Sequence, residues 1–247
     1  MTHMNHLRSQ FHRKVLRTLG LLAALVLCWG RPAFAQRANP ENLPMYGQPD
    51  VVRSDELKKA DEDFIRGAIV RFGGREAASR AYVTQGWQAV RNHKGDEAMQ
   101  RFNQAWLLNR KNYQAYWGFG AVLSDRGKLG EAIEQLNTAR ELMDDPSQAT
   151  PLLSDLGAVH SEYAAQLLAS DQLERARHFN LANQAFAASL ERNPNYAPGW
   201  REWAISLYKQ EMYADAATKA QRAKELNAEP FPPEFLNDLQ QKTSESK

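Results

Sequence analysis

A recurrence of small residues at a fixed interval constrains this chain more than any other feature of it. Gly86 and Gly120 stand 34 residues apart, and Gly157 and Ala204 fall in the matching place further on. Twelve residues after three of those four come Ala98, Ala132 and Ala216. Phe102, Leu136 and Ala220 follow four later, then Ala105, Ala139 and Ala223 three later still. Two antiparallel helices that approach closely need a side chain no larger than alanine where they cross, with bulky neighbours filling the space between layers. The pattern therefore predicts helix hairpins stacked one on the next, an all-α solenoid. His93-Lys94-Gly95 and Gly127-Lys128 supply turns between the helices of a pair.

The order small, small, bulky, small at this period resembles the tetratricopeptide repeat (TPR) family over residues 79–230. On that resemblance the units run 79–112, 113–146, 150–196 and 197–230, and the implied fold is a right-handed α-solenoid of about four TPR-like hairpins. The third unit departs from the pattern. Gly157 and Ala182 are 25 residues apart where the others show 12, an insertion of 13. Residues 161–169 and 173–181 are good helix formers without Pro or Gly. This favours two helices that each grow by nearly two turns around Ser170-Asp171; a degenerate extra helix stays open as the alternative.

Both ends carry flanking elements. Ser54 reads as an N-cap, with Asp55 and Glu56 in the first turn. Leu57, Ala60, Phe64, Ile65, Ala68, Ile69 and Phe72 then recur at helical spacing, and Gly73-Gly74 stops the helix. An N-terminal amphipathic helix within 54–78 is expected to pack on the solenoid. Phe235, Leu236 and Leu239 share one face of a short helix within 231–247, which is expected to cap the last repeat. Residues 36–53 hold Pro40, Pro44, Pro49 and Gly47, and read as an extended, proline-rich linker.

Residues 1–35 read as a signal peptide: a basic stretch, a 12-residue apolar run over 19–30, and Ala33-Phe34-Ala35 after Pro32. Twelve helical residues rise only about 18 Å, short of a bilayer core of roughly 30 Å. Export with cleavage after Ala35, most simply to a periplasm, is the expectation, and no transmembrane anchor would remain after processing. A lipoprotein anchored through Cys28 and mitochondrial import are the alternatives. The leader holds five basic residues and no acid, so removing it changes the net charge from +2 to −3. A mildly acidic chain has little non-specific pull on nucleic acid. Cys28 is the single cysteine, so the processed chain would have no disulfide and no thiol nucleophile.

What remains as candidate function is binding. In the TPR family the second, fifth, ninth, twelfth and thirteenth places of a repeat line a concave groove. Carried onto this sequence, they give Arg80, Val83, Trp87, Val90 and Arg91 in the first unit. The second gives Gln114, Trp117, Ala121, Ser124 and Asp125, and the fourth gives Arg201, Ile205, Tyr208 and Lys209. Arg80, Trp87, Arg91, Trp117, Arg201 and Tyr208 form the candidate partner-binding groove, aromatic and basic, built of the residue types enriched in binding hot spots. Trp87 and Trp117 read alternatively as ordinary core. Tyr82, Trp106, Tyr116, Phe119, Trp200 and Trp203 fall at inter-helix places and are expected in the core.

The family's carboxylate-gripping peptide mode does not carry over, because Val83 and Trp87 occupy two of the places that mode needs. His160 reads as a satisfied core histidine. No zinc-protease His-Glu-x-x-His and no phosphate loop occurs, so no catalytic, metal or cofactor residue is assigned. The resemblance implies a protein partner and a scaffold or adaptor role in the cell envelope, without a small-molecule substrate. The alternative is a subunit that braces an envelope enzyme or a secretion- or pilus-type complex through its convex face and the 161–181 hairpin.

Overall fold

The computed structural model describes residues 39–245. The leader, its Ala35 cleavage site and Cys28 lie outside the described residues. Ten α-helices follow in order: α1 (Asp55–Phe72), α2 (Arg75–Arg91), α3 (Gly95–Leu108), α4 (Tyr113–Asp125), α5 (Leu129–Leu142), α6 (Ala149–Gln166), α7 (Gln172–Arg192), α8 (Ala197–Lys209), α9 (Tyr213–Glu225) and α10 (Pro233–Glu245). Three short 3-10 turns complete the list, and there is no strand among the described residues. The chain is an all-α, TPR-like solenoid. Its hairpins are α2/α3, α4/α5, α6/α7 and α8/α9, and the first helix of each packs against the first helix of the next.

The small residues sit where the spacing puts them. Ala98, Ala132, Ala182 and Ala216 are all fully enclosed, as are Phe102 and Phe186. Phe102 lies against two bare helix surfaces at once: a Cβ on Gly86 would stand 2.5 Å from its ring and one on Gly118 2.3 Å. The same relation holds between Gly120 and Leu136, at 2.6 Å. Ser189 takes the third repeat's counterpart of Ala105 and Ala139, and its hydroxyl donates to the Thr150 carbonyl at 2.7 Å, tying α7 to the start of α6.

The turns repeat as well as the helices. His93, Gly127 and Glu211 occupy the same place in their units, and all three adopt left-handed backbone, with φ of 55°, 73° and 62°. In each case the next residue's N–H reaches back to a carbonyl in the helix's last turn, as with Lys94 to Ala89 and Lys128 to Leu123, both at 2.9 Å. The third unit has no such turn at this place, because both its helices run on. α6 has 18 residues and α7 has 21, against 13 and 14 for α4 and α5, and residues 167–171 join them without an extra helix.

The N-terminal flank corrects one expectation. Residues 39–53 are not an extended linker but an ordered strap, with 3-10 turns at Pro40–Asn42 and Pro44–Gly47 lying on α3. Asn103, wholly buried on α3, holds it: Nδ2 donates to the carbonyls of Glu41 (3.1 Å) and Leu43 (2.8 Å), and Oδ1 accepts from the Tyr46 N–H (3.2 Å). Tyr46 is buried, with the Arg53 guanidinium 4.3 Å from its ring centre, and Arg53 pairs with Asp61 of α1 at 2.6 Å. Local composition signals a linker because the prolines and glycine are real turn formers. What converts the segment into structure is one amide about sixty residues away. α1 itself starts on the Ser54 hydroxyl, which accepts from Leu57 N–H at 3.3 Å, and ends at Gly73 with φ of 75°. At the other end Phe231 stacks on Phe235 at 5.0 Å, and α10 closes the α8/α9 cluster through Leu239.

Two substitutions test this packing. Gly118→Ala gains up to about 1 kcal/mol of helix propensity, but the added methyl overlaps the Phe102 ring, which costs roughly 1–3 kcal/mol. Equilibrium urea unfolding should show net destabilisation, and Phe102→Leu in the same chain should recover part of it. Asn103→Leu strips the Glu41 carbonyl of its partner and leaves the Leu43 carbonyl and the Tyr46 N–H only their bond to each other, at about 1–3 kcal/mol for a group left buried without a partner. Limited proteolysis should then cut within residues 39–53 well before any cut in α2–α9, whereas the parent should be cut there no sooner than elsewhere.

Candidate functional site

The first-helix face was expected to bring six residues into one aromatic-basic groove, and the structure groups them differently. Trp87 and Trp117 do meet. Their rings lie 5.2 Å apart at 71°, Trp87 also rests edge-on against Phe102 at 5.4 Å, and both indoles are half-buried. They are wall and core at once, with one face in the layer and one at the surface. Arg80, in the second turn of α2, and Arg91, at its end, are both exposed.

Arg201 and Tyr208 are engaged by their own chain. The Arg201 guanidinium donates to the Glu229 carbonyl (3.1 Å) and to Glu202 (2.6 Å), and lies over Phe231. The Tyr208 hydroxyl donates to Asp238 on α10, with Phe235 and Tyr213 against its ring. The C-terminal extension thus occupies this part of the face. The basic character expected from Arg201 is answered within the molecule, so the grouping of six residues is corrected to an aromatic pair with separate flanks.

Of the aromatic residues expected in the core, Tyr82, Trp106 and Phe119 are buried and Tyr116, Trp200 and Trp203 half-buried. Each indole N–H has a partner: Trp106 donates to Tyr116 Oη (3.0 Å), Trp200 to the Pro194 carbonyl (2.8 Å), and Trp203 to Asn183 Oδ1 (2.9 Å).

The group that sequence reasoning missed is Asp155 on α6. Its Oδ2 accepts the Trp117 indole N–H at 2.7 Å, linking the second repeat's first helix to the third's. The residue keeps some exposed surface, but its carboxyl is surrounded by protein. Burial pushes it up to about 6; the Trp117 hydrogen bond opposes this, and Glu202 on α8 adds to the rise. Burial together with the charges of Asp155 and Glu202 pushes the Tyr196 phenol up to about 12. Beside this pair opens a cleft of about 540 Å³, lined by Tyr113, Gln114, Trp117, Pro151, Arg192 and Tyr196. Its lining is aromatic and polar with Arg192 as its one charged side chain, and Asp155 adjoins it through Trp117 without being part of the lining. Extending the groove positions through the third repeat would have reached the neighbours of Asp155. Nothing in its own sequence context shows that an indole from α4 would be its donor.

Among the described residues no group of three or more His, Cys, Asp or Glu side chains is placed to hold a metal ion. No described helix is long and apolar enough to cross a membrane.

No family model matches the sequence, and no curated protein does. Solved structures do. The chain is similar to the MamA RS-1 ArsTM double mutant at 14% identity, over 60% of this chain and 74% of that one, with a TM-score of 0.46. It is also similar to YrrB, described as a TPR protein with an unusual peptide-binding site, at 18% identity, over 59% of this chain and 84% of that one, with a TM-score of 0.29.

The Asp155 carboxyl gives the site a pH signature. Its folded value lies above the ordinary aspartate value of 3.8, so the folded state holds the proton more tightly than the unfolded one. This contribution to stability is fully present below about 4 and is lost as pH rises through about 6. Asp155→Asn keeps an acceptor for Trp117 without the charge. Urea unfolding should show the variant more stable than the parent at pH 7.5, by about 1–3 kcal/mol, with the difference vanishing at pH 4.

Proposed function

We propose that the protein is a protein-interaction scaffold of the cell envelope that captures a partner segment on its first-helix face, at Trp87, Trp117 and Asp155. The observation that carries this reading is the half-exposed indole pair adjoining a carboxyl that has one indole N–H as its donor. Rigid aromatic rings bury large area at low entropic cost, and a desolvated carboxyl favours a partner that brings a cation. The segment is therefore one with an apolar anchor and a Lys, Arg or free amino terminus, set against the cleft by Tyr196 and Gln114. Binding would restore the ordinary ionisation of Asp155, because a nearby cation favours the charged form.

Export follows from the leader: processing after Ala35 would release a chain beginning at Gln36, and intact mass of the secreted form distinguishes this from lipidation at Cys28 and from mitochondrial import. Catalysis has no part in this reading.

A second reading has one specific observation in its favour. Leu168 and Leu173, at the tip of the α6/α7 hairpin, are 71% and 86% exposed. Apolar side chains held out on a protruding turn suit a docking contact, which would make the protein a bracing subunit of a larger complex.

The two readings separate by substitution. In co-purification from native membranes and periplasm, Trp117→Ala should lose the partner while the α-helical circular dichroism signal persists, and Leu168→Ser with Leu173→Ser should keep it. Retention by Trp117→Ala and loss by the double serine variant would overturn the groove reading in favour of the hairpin.

A further inference from the structure

The lengthened third hairpin builds a cavity on the side away from the first-helix face. It measures about 750 Å³, lies between α5 and α7, and has α6 for its floor. This is within the size range of small-molecule sites. Its apolar wall includes Ile133, Leu156, Leu181 and Ala185. On its floor His160 and His178 face each other Nδ1 to Nδ1 at 2.9 Å, and the far nitrogen of His178, Nε2, is 3.1 Å from Glu174 Oε1.

The proton positions follow from these contacts. An ionised carboxylate only accepts, so His178 Nε2 carries hydrogen. With both rings neutral, the hydrogen bond between the two Nδ1 atoms must then be donated by His160. The remaining nitrogen of His160, Nε2, presents a lone pair and has no hydrogen-bond partner among the described residues; it is also not among their sealed-off polar atoms without partners. His160 therefore ends a Glu174–His178–His160 chain that opens on the cavity.

The charges around that chain are unequal. Arg140 of α5 and Arg177 of α7 both line the cavity, and burial, His178 and these two guanidiniums together hold His160 down at about 4. Arg140 has no ion pair among the described residues, while Arg177 shares Glu174. Glu134 and Glu141 of α5 line the cavity as well, with exposed side chains, but neither is among the charges that act on His160. On α6, Glu162 is taken by Lys209 of α8, and the Tyr163 ring lies tilted against His178 with centroids 4.4 Å apart. Besides His178, the charges acting on His160 are the two guanidiniums of Arg140 and Arg177.

We propose that this cavity is a binding site for a carboxylate carried on an apolar body, held by Arg140 and Arg177, whose binding brings a proton onto the His160–His178 pair. Burial is the larger cause that keeps His160 neutral, and the anion offsets the repulsion from Arg140 and Arg177 that adds to it, so the pair's affinity for a proton rises on binding. A proton taken up on binding makes the ligand bind more tightly as pH falls. The carboxylate can belong to a free organic acid or to an acidic side chain of a protein segment. The site is independent of the first-helix face, and of whether anything binds there.

Isothermal titration of the purified protein with hexanoate and, separately, with an acetylated and amidated Leu-Glu-Leu tripeptide tests this. At least one should bind saturably at one per chain, about tenfold more tightly at pH 5.5 than at pH 7.5. Arg140→Gln, a change at an exposed side chain, should weaken it by about tenfold, and Lys111→Gln should not. Binding of hexanoate alone identifies a free acid, and binding of the tripeptide alone identifies a protein segment. Nitrogen-15 shifts of the His160 and His178 rings should move toward the protonated form on saturation at pH 5.5. Absence of saturable binding by both probes, binding indifferent to Arg140→Gln, or rings that stay neutral would each overturn the proposal.

Discussion

The rest of the molecule depends on the closeness with which helices cross, and Phe102 shows how that closeness is set. Its ring occupies the room left by two missing Cβ atoms, on Gly86 within its own hairpin and on Gly118 in the next. One side chain therefore fixes both the intra-repeat crossing and the stacking of one repeat on another. Leu136 against Gly120 and Phe186 against Gly157 extend the arrangement along the solenoid. Because each unit can bury its apolar face only against a neighbour, the stack ends where capping segments cover it. The strap on α3 and the helix α10 serve that purpose at the two ends.

This dependence explains which parts of the structure were legible in the sequence. Helix crossings need small residues at a strict interval, so Ala98, Ala132 and Ala216 announce hairpins without any knowledge of their partners. The cap at Ser54 and the stop at Gly73 are equally local. The strap was not legible, because its order comes from Asn103, whose amide satisfies backbone groups about sixty residues earlier. A proline-rich stretch and a docked strap have the same composition; only the remote hydrogen-bonding partner separates them.

The candidate site was legible by half. Groove positions placed Trp87 and Trp117 on a common face, and the rings do touch. The same positions put Arg201 and Tyr208 there too, without showing that Glu229, Phe231 and Asp238 would already hold them. Asp155 was invisible for the complementary reason: its environment is made by a side chain from another helix. Sequence periodicity fixes which residues face inward, while charge and hydrogen bonding across repeats decide what that face can attract. The lengthened third hairpin shows the same division. The 13-residue insertion was legible in the sequence, which left an extra helix open beside the lengthened pair, and the meeting of His160 with His178 depends on how α6 and α7 lie side by side.

The central claim is that partner capture takes place on the first-helix face. Site-specific photocrosslinking in living cells measures this most directly, with a benzophenone side chain placed at Gln114, beside the cleft, or at Gln172, at the hairpin tip. The account predicts a discrete crosslinked adduct from position 114, lost when Trp117→Ala is added, and none from position 172. Adducts from position 172 alone would contradict it.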